Sequence, residues 1–270
     1  MPELPEVETI VRTLEKSLLN EKIIGVDFLY PKLQEEDSEF DITDLLGKTF
    51  TSFDRSGKYL IFELDHEYYW IVHLRMEGKF HLYKKELPAS KHTHLIIQTN
   101  AHWIHYLDVR KFSRMALVKN KDEYFVKKNL GLEPFDSKMD WRYLKKEISK
   151  SSRSIKAILL EQSIVVGICN IYADEILFET KIHPLKKGNE LRNKDFKNLE
   201  VAIPKILNEA ILQGGTTIRS YTSALDVTGR FQVALKAYGQ EGKECANCNT
   251  IMTRIKVAGR STVFCKRCQK

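Results

Sequence analysis

The chain has 270 residues, enough to bury a full core and, by length alone, to form two domains. Hydrophobic residues make up 43% and charged residues 29%, ordinary for a globular protein, and no run of about 18 apolar residues suggests a membrane span. The net charge of +7 sits at one end: residues 215–270 carry 10 Lys or Arg against 3 Asp or Glu, so the other 214 residues sum to zero. A basic C-terminal module on a neutral body points to a polyanionic partner, nucleic acid above all.

The opening MPELPEVET has neither the basic nor the apolar region of a secretory signal. Val7, Ile10, Val11, Leu14 and Leu18 recur at helical spacing, with Pro5 expected at the first helical position and Glu6 and Glu8 at the positive end of the dipole. Segments 58–65, 68–76, 79–85, 92–99 and 102–109 are short, β-rich and often alternating. They predict an antiparallel sandwich reaching about Val118. LGLEPFDSKMD, at 130–140, predicts a linker, and 141–151, 155–162, 171–182 and 195–215 predict helices, the last ending at Gly214-Gly215. A connecting stretch, 216–232, leads to the C-terminal module.

That module carries four of the five cysteines, Cys245, Cys248, Cys265 and Cys268, as C-x2-C-x16-C-x2-C. Two such knuckles can place four thiolates around one tetrahedral zinc. The alternative, disulfides or redox pairs, suits an oxidising compartment, and with no signal peptide the chain is expected to be cytoplasmic. Four protein ligands leave no open position, so the zinc is expected to be structural. Between the knuckles, IMTRIKVAGRSTVFC predicts two strands joined at Ala258-Gly259, with Arg260 at the tip, where a guanidinium can reach a phosphate. His92, His94, His102 and His105 lack an evident further ligand and are expected to be satisfied by hydrogen bonds.

Pro2 has a chemical meaning if Met1 is removed. A secondary amine that attacks a sugar C1′ forms an iminium with no nitrogen proton to lose, and this lasting cation acidifies C2′ and favours loss of the 3′ phosphate. Glu3 is close enough in sequence to act as acid or base.

PELPEVET at the start, RSGKYL at Arg55 to Leu60, GICNIYADEILF at Gly167 to Phe178, and the cysteine module with VAGRSTVFC together resemble the bacterial formamidopyrimidine-DNA glycosylase family over nearly the whole chain. The resemblance implies a multidomain α+β fold: an N-terminal helix with an antiparallel β-sandwich (1–131), a helix-two-turn-helix domain with a lesion-capping loop (132–230), and a β-hairpin zinc finger (231–270). It implies a monomeric glycosylase and lyase of base excision repair. Its partner would be double-stranded DNA with an oxidised purine or an abasic site, and its one cofactor a structural zinc. Pro2 would be the nucleophile, Glu3 the acid/base, Glu6 a supporting carboxylate and Lys58 a contact to phosphates beside the lesion. His73, Asn170 and Arg260 resemble a phosphate clamp. Because a base inside a duplex must be extruded to react, something must fill the gap, and Met76, Arg110 and Phe112 match the family's void-fillers. Glu77 is a weaker candidate, and Thr216 to Gly229 resembles the loop over the everted base. Without the resemblance, these residues read as a strand-start lysine, a core-edge histidine, a helix-cap asparagine, a surface arginine and core apolars.

Two departures stand out. DVRKFS replaces the family's usual wedge-loop text, which implies a less rigid loop. Cys169 stands where many members have glycine, which would strain the turn before Asn170 if that position needs a positive φ. The alternatives are an endonuclease VIII-like enzyme for oxidised pyrimidines and a noncatalytic zinc-finger protein that binds damaged DNA. A zinc module that binds RNA would leave the opening motif unexplained.

Overall fold

The computed structural model describes residues 1–216 and 234–270, which fall into two compact units divided between Lys128 and Asn129. In the first unit, helix α1 (Leu4–Leu18) buries Val7, Ile10, Val11, Leu14 and Leu18, the predicted stripe. The helix starts one residue earlier than expected. Glu3 is the N-cap and Pro5 takes the second helical position, where its missing N–H costs nothing because first-turn N–H groups have no intrahelical acceptor.

Eight strands follow: β1 (Ile23–Asp27), β2 (Phe50–Ser56), β3 (Tyr59–Leu64), β4 (Tyr68–His73), β5 (Lys79–Tyr83), β6 (Thr93–Thr99), β7 (Trp103–Leu107) and β8 (Arg114–Val118). They form two antiparallel four-stranded sheets, ordered β1-β6-β7-β5 and β2-β3-β4-β8. Alternate side chains of both sheets meet in one core, with Phe80, Leu95 and Ile104 from the first and Phe62, Trp70 and Leu117 from the second. The α1 stripe belongs to that core, so the chain's first residues are anchored in the sandwich. Helix α2 (Lys121–Lys127), capped by Asn120, ends the unit.

In the second unit, α3 (Trp141–Ile148), α4 (Ile155–Leu159), α5 (Asn170–Glu179) and α6 (Asn193–Leu212) match the four predicted helices and share a core that includes Ile148, Ile158, Tyr172, Ile176, Phe196 and Leu207. The stretch expected to be a linker is tied down at its start. Gly131 N–H donates to the Gln162 carbonyl at 2.7 Å, and Leu132 exchanges bonds with Ile164 and Val166. A Cβ at position 131 would lie 2.2 Å from the Ile164 carbonyl oxygen, so glycine is what permits the approach. The C-terminal hairpin, β9 (Thr253–Val257) and β10 (Arg260–Phe264), turns through Ala258 and Gly259 as predicted, with φ of 48° and 75°. No helix among the described residues is long and apolar enough to cross a membrane.

Candidate active site

At the N-terminus, Pro2, Glu3 and Glu6 are all buried, unusual for a proline and two carboxylates so close to a chain end. Glu3 N–H donates to Glu6 Oε2 at 2.9 Å, so Glu6 holds the peptide that follows Pro2. One turn on, Glu8 ties this end of the helix to the second sheet. Arg55 of β2 donates to Glu8 at 3.0 Å and to the Gly57 carbonyl at 3.0 Å, while Arg12 donates to the other Glu8 oxygen at 2.8 Å. Burial alone raises the Glu8 carboxyl, but the two guanidiniums outweigh it and hold it below its ordinary value. The β2–β3 turn is thereby fixed to the helix, with Gly57 at φ 55° and Lys58 buried in it. A solvated strand-start lysine is therefore not what the structure contains.

His73 ends β4 directly opposite Tyr59 of β3, the ring centroids 4.6 Å apart. Its Nδ1 accepts from Arg75 N–H at 3.1 Å, which leaves the ring proton on Nε2. Burial, with the charges of Arg75 and Lys58 behind it, pulls its pKa down to about 3. His73 is thus a neutral imidazole with a donor N–H at physiological pH.

Met76, Arg110 and Phe112 come together in space. Arg110 Nη1 lies 2.8 Å from Met76 Sδ, and its guanidinium carbon lies 4.6 Å from the centre of the Phe112 ring. Phe112 is 47% exposed, which rules out the core reading for this aromatic. The loop that presents them is organised by the fully buried Asp108, which accepts from Arg110 N–H, Ser113 N–H and the Ser113 hydroxyl at 2.9, 2.9 and 2.5 Å. DVRKFS is therefore braced from its first residue, contrary to the expectation of a looser loop. Glu77, next to Met76 in the chain, is partly exposed.

In the second unit, Asn170 opens α5, one position inside the helix and not at its cap. Its Oδ1 is buried with no hydrogen-bond partner among the described residues. The expected strain at Cys169 is absent: its φ is −140°, and Gly167, two residues earlier, takes the positive φ of 89°. Arg260 is exposed at the fingertip, with its carbonyl held by the Thr262 hydroxyl at 3.2 Å.

The four cysteine sulfurs of Cys245, Cys248, Cys265 and Cys268 lie within 4.8 Å of one another. Zinc at about 2.3 Å from each of four tetrahedral sulfurs spaces them about 3.8 Å apart. The Cys245–Cys268 and Cys248–Cys265 separations are 3.9 and 3.5 Å, so the set fits one zinc with no ligand position left open. The strand histidines pair as expected in two cases: His94 Nε2 lies 2.7 Å from the Asp108 carbonyl and His102 Nδ1 2.7 Å from Glu21. In His105, Nε2 is buried without a partner among the described residues.

Sequence reasoning missed the residues that mount the finger on the helices. Lys156 of α4 and Asp174 of α5 form a fully buried ion pair at 2.6 Å, and each also bonds a backbone group of β10. Beside them, Glu175 accepts from the N–H groups of Lys236, Ala237 and Tyr238 at 3.0, 2.9 and 2.8 Å. The available signal was ADEILF, two adjacent acids inside an apolar helix, which demands buried partners.

A sandwich that buries Pro2 and two acids beside it, together with a helical unit that carries a tetrathiolate finger, is the set of parts that the sequence motifs implied. Residues 1–115 match the model of the formamidopyrimidine-DNA glycosylase N-terminal domain, 130–222 that of the H2TH domain of the same enzymes, and 242–270 that of the zinc finger found in FPG and IleRS. The chain is 43% identical over its whole length to the full formamidopyrimidine-DNA glycosylase of Lactococcus lactis subsp. lactis (strain IL1403). It is 42% identical to that of Bacillus subtilis (strain 168), covering 99% of that protein. The wild-type Lactococcus lactis Fpg (MutM) in complex with DNA containing N7-benzyl-Fapy-dG superimposes with a TM-score of 0.92 at 41% identity, each chain fully covered. The same enzyme with DNA containing an abasic site gives 0.92 at 41% identity, with 99% of each chain covered. The chain belongs to the formamidopyrimidine-DNA glycosylase family, whose glycosylase role and structural zinc it shares.

Residues 217–229 of the expected lesion-capping loop lie outside the described residues.

Proposed function

We propose that the protein is a bifunctional glycosylase and abasic-site lyase that excises oxidised purines from duplex DNA as a monomer in the cytoplasm. The observation that carries this is the buried Pro2-Glu3-Glu6 cluster at the head of α1, with the Lys58 turn fixed to the same helix. With Met1 removed, the Pro2 nitrogen attacks C1′ of the extruded nucleotide and the bond from C1′ to the base breaks. The departing base takes the proton that the amine loses, and protonation of the ring oxygen by Glu3 then breaks the bond from C1′ to that oxygen, opening the sugar to an iminium. The resulting iminium acidifies C2′. Loss of a C2′ proton expels the 3′ phosphate, and a second elimination expels the 5′ phosphate.

Glu6 orients Glu3 in this scheme, and Lys58 and His73 hold phosphates beside the lesion, one as a cation and one as a neutral donor. Asn170 and Arg260, both of the second unit, contact backbone phosphates. Met76, Arg110 and Phe112 fill the gap left in the stack, with Arg110 facing the orphaned cytosine. The N-terminal domain runs to residue 131, the helical domain to 230 and the finger to 270.

The test is borohydride trapping on duplex DNA with one 8-oxoguanine opposite cytosine, with the adduct mapped by mass spectrometry. An adduct on a peptide that begins at Pro2 is expected, and Pro2→Gly should abolish it while the protein stays folded. Undiminished trapping in that variant would remove Pro2 from its role.

A further inference from the structure

A lysine and an aspartate, both essentially without solvent exposure, lie outside the groups so far given a chemical role. Lys156 Nζ is 2.6 Å from Asp174 Oδ1 and donates to the Ser261 carbonyl at 3.1 Å. The other Asp174 oxygen accepts from Val263 N–H at 3.0 Å. One ion pair therefore grips the β10 strand at two places, directly after Arg260. Asp174 also lies four residues after Asn170 on α5, so the two share a face of the helix one turn apart. The helix presents the Asn170 side chain at its N-terminal turn and fastens the strand that bears Arg260 on its next turn.

We infer that Lys156 and Asp174 are positioning residues that fix the distance between Asn170 and Arg260, so that both reach the same stretch of DNA backbone. This rests on the phosphate-clamp reading of those two residues. An apolar contact would bury β10 against α5 just as well. An ion pair with a hydrogen bond at each end also fixes how far the strand slides along the helix, because a shift of one residue would break both backbone bonds. Neither side chain is exposed, so neither contacts DNA, and any effect on binding passes through the residues they position.

The experiment measures binding of the full zinc-loaded chain to a duplex with a tetrahydrofuran abasic-site analogue, across a salt series. Four proteins are compared: wild type, Arg260→Ala, the double variant Lys156→Met with Asp174→Asn, and all three substitutions combined. The double variant removes both charges but keeps an acceptor for Val263 N–H. Arg260→Ala should lower the salt slope by about one, the loss of a single phosphate contact. The double variant should keep its zinc and lower the slope by the same amount, and the combined variant should lose no more than either, because all three break one contact. A wild-type slope in the double variant, or losses that add in the combination, would overturn the inference while leaving the role of Arg260 intact. An unchanged slope in Arg260→Ala would instead refute the clamp reading, and the inference with it. If the double variant does not fold, Asp174→Asn alone takes its place: a slope lowered by about one supports the inference, and a wild-type slope overturns it.

Discussion

Replacing Asp108 tests how the wedge loop is held. Its carboxylate has no solvent exposure and is the acceptor for two backbone N–H groups and a hydroxyl, at 2.9, 2.9 and 2.5 Å. Asp108→Asn keeps an oxygen for Arg110 N–H but turns an amide NH2 toward Ser113 N–H, donor against donor. The Ser113 hydroxyl can rotate to the Leu74 carbonyl, 3.2 Å away, so one bond to a charged acceptor is lost outright and a second is weakened. At about 1.5–3 kcal/mol for such a bond, the expected loss of stability is about 2–4 kcal/mol, a large share of a typical total. The assay is amide exchange by mass spectrometry on peptides that span residues 106–116, with 8-oxoguanine excision opposite cytosine and opposite adenine measured alongside. Ser113 should exchange faster in the variant, and discrimination between the opposing bases should fall as Arg110 loses its fixed place. Unchanged exchange would refute the brace. Faster exchange with intact discrimination would refute the link from the loop to Arg110.

Two other outcomes follow from the site. His73 has its pKa lowered from 6.5 to about 3 in the folded chain, so the unfolded chain binds the proton more readily. Its stabilising contribution is fully present above pH 6.5 and is lost as pH falls toward 3, so His73→Asn should flatten the fall in unfolding free energy between pH 6.5 and 4; parallel curves for variant and wild type would show that His73 does not titrate this way. Zinc removal by a chelator should release four titratable thiols and sharply weaken DNA binding while far-UV circular dichroism keeps most of its helical signal, since α3 to α6 have their own apolar core. A complete loss of that signal would show that the helices depend on the metal.

Much of this was legible in the sequence because it rests on local periodicity. The α1 stripe, five strands with clear β patterning and four helices appear where apolar spacing placed them. The strands that were not singled out lack that spacing. β1 is interrupted by Gly25, β2 mixes Thr, Ser, Asp and Arg with its two phenylalanines, and β8 is a short apolar run without alternation. Cysteine spacing gave the metal set outright, and the Ala258-Gly259 turn was visible as a break between β-rich stretches. Lys156 was invisible for a different reason, and Asp174 showed only as an acid inside an apolar helix. The groups Lys156 and Asp174 bond on β10 lie 105 and 89 residues away, and no local pattern names a partner at that distance. The chemistry of Pro2 came from the properties of its amine, while the roles of Met76, Arg110 and Asn170 were suggested only by the family's motifs.

The turn of the finger has one more consequence. Ala258 sits at φ 48°, a conformation that costs an L-residue with a Cβ about 1–2 kcal/mol and that asparagine or glycine adopts more readily. The penalty belongs to the turn type: Val257 pairs with Arg260, and a two-residue turn of this kind needs a positive φ at both central residues. The fingertip is thus a loaded spring, and its reserve is open to laboratory evolution. Selection for thermal tolerance should return Ala258→Asn or Ala258→Gly early, at a position that touches neither metal nor core.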